Sequence, residues 1–375
     1  MSRPPAAPDE GYRVTTLELF FDLVFVFVIT QLTSVFVADL GVVGLVRAGL
    51  MLVVLWWMYS GYAWLTNTRT PVTSGHRLLL LVGMAGFLLV GLATPRAFAG
   101  DGAWWGLGYL VVVLVHGGLY LQLTPKFLRV LPGNLVAAGC VIATGFVHGI
   151  PAYVLWAAAA FVPVAMPYVV PPGGRFLIQA SHIVERHGLL VLITFGESIV
   201  AIGIGVADLR LDFELVEAAV LGLALVAALW WTYFADDDER ATAALAAAGS
   251  GRRTQMTMYG YFYAHIPILV GVIVLAGGIK KAIAHMYGPL PVGPAAALAG
   301  GLALYLLGDA WFRRVLGIGP SRLRVAAAAA AVATIPLASV MAELQALALL
   351  AVLVGALAAE YRLRSRLAGL KESTS

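Results

Sequence analysis

Residues 15–38 read TTLELFFDLVFVFVITQLTSVFVA, an apolar run with two carboxylates, Glu18 near its start and Asp22 set inside it. A hydrocarbon core of about 30 Å takes about 20 residues of helix, and this stretch is long enough to cross it. A carboxylate in such a span costs roughly 2.5–3.5 kcal/mol even on the mildest insertion scale, so it turns toward protein or a water-filled path. A second run, Leu189 to Val206, carries Glu197 in the same way. Asp22 and Glu197 suggest one shared site within the membrane.

The rest of the chain has the same character. Hydrophobic residues make up 61% of the 375 and charged residues 12%, with a mean hydropathy of +0.90, whereas soluble domains carry roughly 25% charged residues. Apolar windows of spanning length fall at 15–38, 42–64, 78–98, 103–123, 132–150, 152–170, 188–207, 214–234, 254–277, 294–311, 323–341 and 343–360. The expected fold is therefore all-α, a polytopic membrane helix bundle of about twelve transmembrane helices. Only Gly149-Ile150-Pro151 divides the fifth window from the sixth, and the eleventh is Ala-rich, so ten or eleven spans are the alternatives.

Basic loops stay on the cytoplasmic side of a membrane. With the N-terminus inside, 19 of the 24 Lys and Arg residues fall on that side and 5 on the other, namely Arg47, Arg96, Arg210, Lys280 and Lys281. Both termini are thus expected in the cytoplasm, with 1–14 and 362–375 as tails. The first dozen residues lack the apolar core and cleavage site of a secretory signal. A pI near 9.2 reflects the basic loops, whose natural partners are anionic membrane lipids and not nucleic acid. Cys140 is the single cysteine, which leaves no intrachain disulfide and no cysteine metal cluster.

An internal repeat is visible. Leu55-Trp56-Trp57-Met58-Tyr59 returns as Leu229-Trp230-Trp231-Thr232-Tyr233, 174 positions later. A shift of 175 lays Asp22 on Glu197, and one of 176 lays His76-Arg77 on Arg252-Arg253. Six spans separate equivalent points, so two parallel six-helix halves are expected, 15–173 and 174–361, related by an axis along the membrane normal. That axis would make Asp22 and Glu197 symmetry mates. Taken alone, the Trp pairs read as an interfacial belt.

Thr16-Leu17-Glu18-Leu19-Phe20-Phe21-Asp22-Leu23-Val24-Phe25-Val26-Phe27, with Ile29-Thr30-Gln31-Leu32, closely resembles the opening signature of the bacterial low-temperature-requirement A (LtrA) family. His182-Ile183-Val184-Glu185-Arg186-His187-Gly188-Leu189 and Gly196-Glu197-Ser198-Ile199 are similar to the same family. The resemblance implies a multi-pass protein of the bacterial inner membrane, in a family named for a link to growth in the cold. Phe20-Phe21-Asp22 also resembles the Phe-Ser-Asp motif of potassium channels built from six-helix repeats, with Phe21 standing where that motif has Ser.

Glu18 and Asp22 are four apart and share a helical face. Like charges so close need a proton or a basic partner, and the candidate charge partners are Arg13, His182, Glu185 and Arg186. Glu197, with Thr194 and Ser198 beside it, offers oxygen atoms to a cation. His265 lies at a similar depth ahead of Pro267 and is placed to relay protons to Glu197. The expected ion, proton or substrate path is therefore Glu18, Asp22, Glu197, Ser198 and His265. A buried ion-pair lock between the first and seventh helices is the structural alternative.

His182, Glu185 and His187 do not have the spacing of a helical zinc site, and neither a metal nor a cofactor is expected. Asp236-Asp237-Asp238-Glu239 reads as a solvated cytoplasmic loop. Gly203-Ile204-Gly205 and Gly300-Gly301 read as close helix packing. The leading expectation is a proton- or cation-linked transporter or ion-conducting protein with an ion or small-molecule substrate. The rivals are a membrane enzyme acting on a lipid or isoprenoid carrier through Asp237, Asp238, His182 and Glu185, and a sensor or scaffold.

Overall fold

The computed structural model of the chain describes residues 14–68, 73–169, 178–207 and 209–372, which are helical almost throughout and include no strand. In chain order the helices are α1 (Thr16–Ala38), α2 (Val42–Thr68), α3 (Ser74–Ala93), α4 (Gly102–Leu121), α5 (Leu131–Thr144), α6 (Ile150–Val169) and α7 (Ala180–Val206). There follow α8 (Phe213–Phe234), α9 (Asp237–Ala247), α10 (Ser250–Met256), α11 (His265–Ala282), α12 (Val292–Leu316), α13 (Arg322–Ala333) and α14 (Ala342–Glu372). Among the described residues, ten helical segments are long and apolar enough to cross a membrane, and α5 and α6 supply two shorter apolar ones. The protein is a polytopic helical bundle, with its segments where hydropathy places them.

Local chemistry sets the ends. α1 begins at a capping box: the Thr15 hydroxyl accepts from the Glu18 amide at 3.3 Å, and Glu18 Oε2 accepts from the Thr15 amide at 2.9 Å. α12 stops at Gly317, whose φ of 70° is left-handed. A π-helical stretch, Thr257–Tyr263, joins α10 to α11. It lies just ahead of Pro267, which has no N–H to return to the preceding turn.

Three segments differ from expectation. α7 starts at Ala180 and not at 188, because His182 and Arg186, in the polar stretch that lowers its hydropathy, find partners on other helices. The acidic run 236–239 opens a helix, α9, where a loop is expected. α13 ends at Ala333 and passes into a 3-10 turn, Ile335–Ser339, at Pro336. The expected boundary at 173/174 lies outside the described residues.

The order of packing recurs along the chain. α1 packs on α2 and α3, α3 on α4, α4 on α5, α5 on α6, and α6 returns to α2. In the same order α7 packs on α8 and α11, α11 on α12, α12 on α13, α13 on α14, and α14 returns to α8. The two rings meet where α1 and α2 touch α7 and α11.

The α3–α4 and α11–α12 pairs also share a packing device. A Cβ added to Gly86 would lie 2.8 Å from the Gly108 carbonyl oxygen, and one added to Gly108 would lie 2.8 Å from that of Gly86. Gly271 and Gly301 face each other in the same way, at 2.7 and 2.8 Å. Reciprocal glycines let two backbones touch directly. The packing reading thus applies to Gly301 and to Gly205, which lies against the Lys280 carbonyl, but Gly203 and Gly300 have open space beside them.

The Trp pairs part company. Trp56 is buried and donates to the Phe262 carbonyl at 2.5 Å, and Trp57 donates to Asn134 Oδ1 at 3.0 Å. Trp230 and Trp231 are exposed on the surface of the bundle. Only the second pair fits an interfacial belt.

Candidate functional site

Glu18, the third residue of α1, divides its carboxylate between two tasks. Oε2 closes the capping box, while Oε1 accepts from Arg186 Nη1 at 2.7 Å and lies 3.1 Å from His182 Nε2. One turn further on, Asp22 Oδ1 accepts from Arg186 Nη2 at 3.1 Å and from the Tyr59 hydroxyl at 2.9 Å. Arg186 Nη1 also donates to Thr66 Oγ1 at 2.8 Å. The guanidinium carbon stands 5.6 Å from the ring centres of both Phe21 and Tyr59, within cation–π range.

Three helices build this cluster. α1 supplies the acids four residues apart, α7 supplies His182 and Arg186 four apart, and α2 supplies Tyr59, Thr66 and Asn67. Asn67 Nδ2 lies 3.3 Å from His182 Nδ1, and Asn67 also pairs with the Gln179 backbone in both directions, at 2.9 and 3.0 Å. Glu18, Asp22, His182 and Arg186 are exposed by 2%, 0%, 1% and 1%. Oδ2 of Asp22 has no partner among the described residues. Two buried carboxylates therefore share one guanidinium, with a histidine at the edge.

Of the expected charge partners, Arg186 and His182 join the acids. Glu185 is exposed and, among the described residues, accepts from the Val14 amide at 3.4 Å. Arg13 lies outside the described residues. Phe21, where the channel motif has Ser, is buried, its ring packed on Tyr62 and Phe87 at 5.0 and 5.3 Å.

Asp22 and Glu197 do not share a site. α1 and α7 run parallel, since Glu18 meets His182 at one end and Thr30 meets Glu197 further along. Glu197 follows Arg186 by eleven residues, about 16 Å of helix rise. It accepts from Thr30 Oγ1 at 2.6 Å and lies within electrostatic reach of Lys280. Ser198 is buried beside it with no partner for its hydroxyl among the described residues. The matching shift of 175 aligned the acids in sequence but at different depths, because Asp22 is early in α1 and Glu197 late in α7.

His265 has other partners than Glu197. Its Nε2 lies 2.8 Å from the Tyr233 hydroxyl and its Nδ1 2.9 Å from the Gly260 carbonyl of the π-helical stretch. Trp56 stacks on it at 6.2 Å, and His187 packs edge-on at 5.5 Å. His187 precedes Glu197 by ten residues, about 15 Å along α7, so His265 hands no proton to Glu197 directly. The geometry is that of a satisfied interhelical hydrogen bond. Tyr59 and Tyr233, which end the repeated Trp-Trp motif, each serve a buried polar group.

A second buried network escaped the sequence reading. Arg313 on α12 donates to Asp237 through Nε and Nη2, at 2.6 and 3.0 Å, and to Glu360 of α14 at 2.5 Å. Arg324 on α13 lies 3.2 Å from Asp309 and 3.0 Å from Glu360. Arg313 and Arg324 count as cytoplasmic loop residues by position, yet they are exposed by only 2% and 1%. Their signal is the match of three acids and two arginines spread over α9, α12, α13 and α14, which no single window displays. Asp237, the acid that a metal-dependent lipid enzyme needs, has both oxygens committed to Arg313.

Fold and site together define a polytopic α-helical membrane protein with charged networks buried between its helices. Residues 13–359 match the family described as Bacterial low temperature requirement A protein (LtrA), and the chain belongs to that family. It is also similar to an uncharacterized protein of Rhizobium meliloti (strain 1021), with 29% identity over 315 residues, 80% of this chain and 76% of the relative.

Proposed function

We propose that the protein couples the movement of a proton or small cation to the relative position of two six-helix halves, with Glu18, Asp22, His182 and Arg186 as the coupling site. A charge count carries this reading. Two carboxylates and one guanidinium are closed off from solvent together, and Asp22 Oδ2 is unpartnered among the described residues. An uncompensated charge is too costly in a low-dielectric interior to persist. Among the described residues the cluster therefore lacks one positive charge, which a proton or a bound cation would supply.

Gaining or losing that charge changes how firmly α1 is tied to α7, and a coupling site biases two states through such a difference. Duplicated halves that meet at α1, α2, α7 and α11 supply the boundary at which transporter sites commonly sit. Glu197, with Thr30 and Ser198, is a separate station further along the same helix pair. The Lys and Arg distribution argues for a bacterial inner-membrane protein with both termini in the cytoplasm.

The test is ion and proton flux in proteoliposomes. Asp22→Asn keeps the shape of the side chain and an oxygen for Arg186 while removing the surplus charge. The expected result is loss of flux with unfolding close to that of the unaltered protein. Absence of flux from the unaltered protein under proton, sodium and potassium gradients overturns the proposal.

A second reading has an observation of its own: Arg186 reaches both acids and Thr66 at once, as an ion-pair lock would. A scaffold of that kind predicts that Asp22→Asn lowers stability and alters no flux.

A further inference from the structure

Where α8 and α12 end and α13 begins, a cavity of about 480 Å³ opens toward α14. Its charged wall is Arg240, Arg313, Arg324, Arg364, Asp236 and Glu360. Four arginines face two acids on the lining, while Asp237 and Asp309 stand behind Arg313 and Arg324 and complete the charge balance. Glu360 is already saturated, with Arg313 and Arg364 at 2.5 Å and Arg324 at 3.0 Å. Asp236 is taken by Arg364 at 2.7 Å and Arg240 at 3.2 Å. Two donors remain: Nη1 of Arg324 and Nε of Arg364 are buried and meet no acceptor among the described residues. Arg324 is itself 1% exposed. Guanidinium N–H groups left without acceptors are costly, and an anionic oxygen satisfies them best.

The depth of the cavity indicates where such an oxygen comes from. α14 has 31 residues, about 46 Å of helix, so beyond roughly 30 Å of hydrocarbon core its later turns stand among the headgroups. The cavity is lined by Leu357, Glu360, Tyr361, Arg364 and Ser365, which straddle the level where that core ends. Trp231 and Tyr361 are exposed on its rim, and these residue types settle at headgroup level. Basic pockets between helices at that level suit lipid phosphates.

We infer that this cleft binds the phosphate of an anionic phospholipid, with Arg324 and Arg364 as its donors and Trp231 and Tyr361 against the glycerol region. The site is independent of the coupling cluster on α1 and α7.

The experiment compares spin-labelled phosphatidylglycerol with spin-labelled phosphatidylcholine on the full chain in phosphatidylcholine vesicles. Arg364→Gln removes one donor. Ser365→Glu adds a carboxylate at the mouth, where the Ser365 hydroxyl bonds only its own helix, so the buried network is untouched. The expected result is a preference for phosphatidylglycerol of about fivefold, the factor one arginine contributes near an anionic surface, and its loss in both variants. Equal affinity for the two lipids, or a preference that survives both changes, overturns the inference. So does loss of the preference on adding inorganic phosphate, which would assign the site to a soluble anion.

Discussion

Glu18 is joined to Arg186 by a 2.7 Å hydrogen bond from one carboxylate oxygen, while its other oxygen closes the capping box of α1. One side chain thus starts a helix and ties that helix to another 168 positions away. The two roles differ in weight. Thr15→Ala removes only the cap and is expected to cost about 1 kcal/mol. Glu18→Ala also leaves a buried guanidinium short of a partner, and the expected cost is about 3–5 kcal/mol. Denaturant unfolding in detergent measures both; equal effects would mean that the Arg186 bond adds nothing.

Asp22→Asn and Glu197→Gln are expected to act independently. About 16 Å of helix separates their sites, and sites so far apart without shared partners add to within about 0.3–0.5 kcal/mol. The double variant therefore unfolds at the stability given by adding the two single effects. A coupling energy above 1 kcal/mol would restore a shared site.

Arg313 is the hub of the second network. Arg313→Ala strands Asp237, both of whose oxygens it holds, and the expected loss is about 3–5 kcal/mol. Its exposed neighbour Arg314 is the control, since Arg314→Ala is expected to stay within about 0.5 kcal/mol. Thermal stability by fluorescence-detected size exclusion ranks the two, and a similar fall in both is the contrary outcome.

Gly301→Val drives a side chain into the backbone of α11, where a Cβ already meets the Gly271 oxygen at 2.8 Å. Overpacking of this kind costs about 1–3 kcal/mol. Gly300→Val, with open space beside it, is expected to be tolerated. Expression level and melting temperature of the two variants decide; a harmless Gly301→Val would show that α11 and α12 separate at no cost.

The sequence by itself determined the class of fold and the position of nearly every helix. α1, α2, α4 and α8 begin within a residue of their hydropathy windows, because membrane partitioning follows each residue's own transfer energy and is read locally. The acids of α1 were legible for the same reason, as charges where apolar residues belong. Tertiary structure decided which of the candidate partners Arg13, His182, Glu185 and Arg186 the acids took. Nothing near Asp22 in the chain announces Tyr59, and a polar run ahead of Leu189 hid the first turns of α7. Asp22 and Glu197 stood at matching places in the sequence but fell to different neighbours, since the depth of a residue in its helix depends on where that helix starts. Arg313 and Arg324 looked like loop residues until four helix ends closed around them. An ion pair is a contact between helices far apart in the chain, and only the packed bundle brings its two charges together.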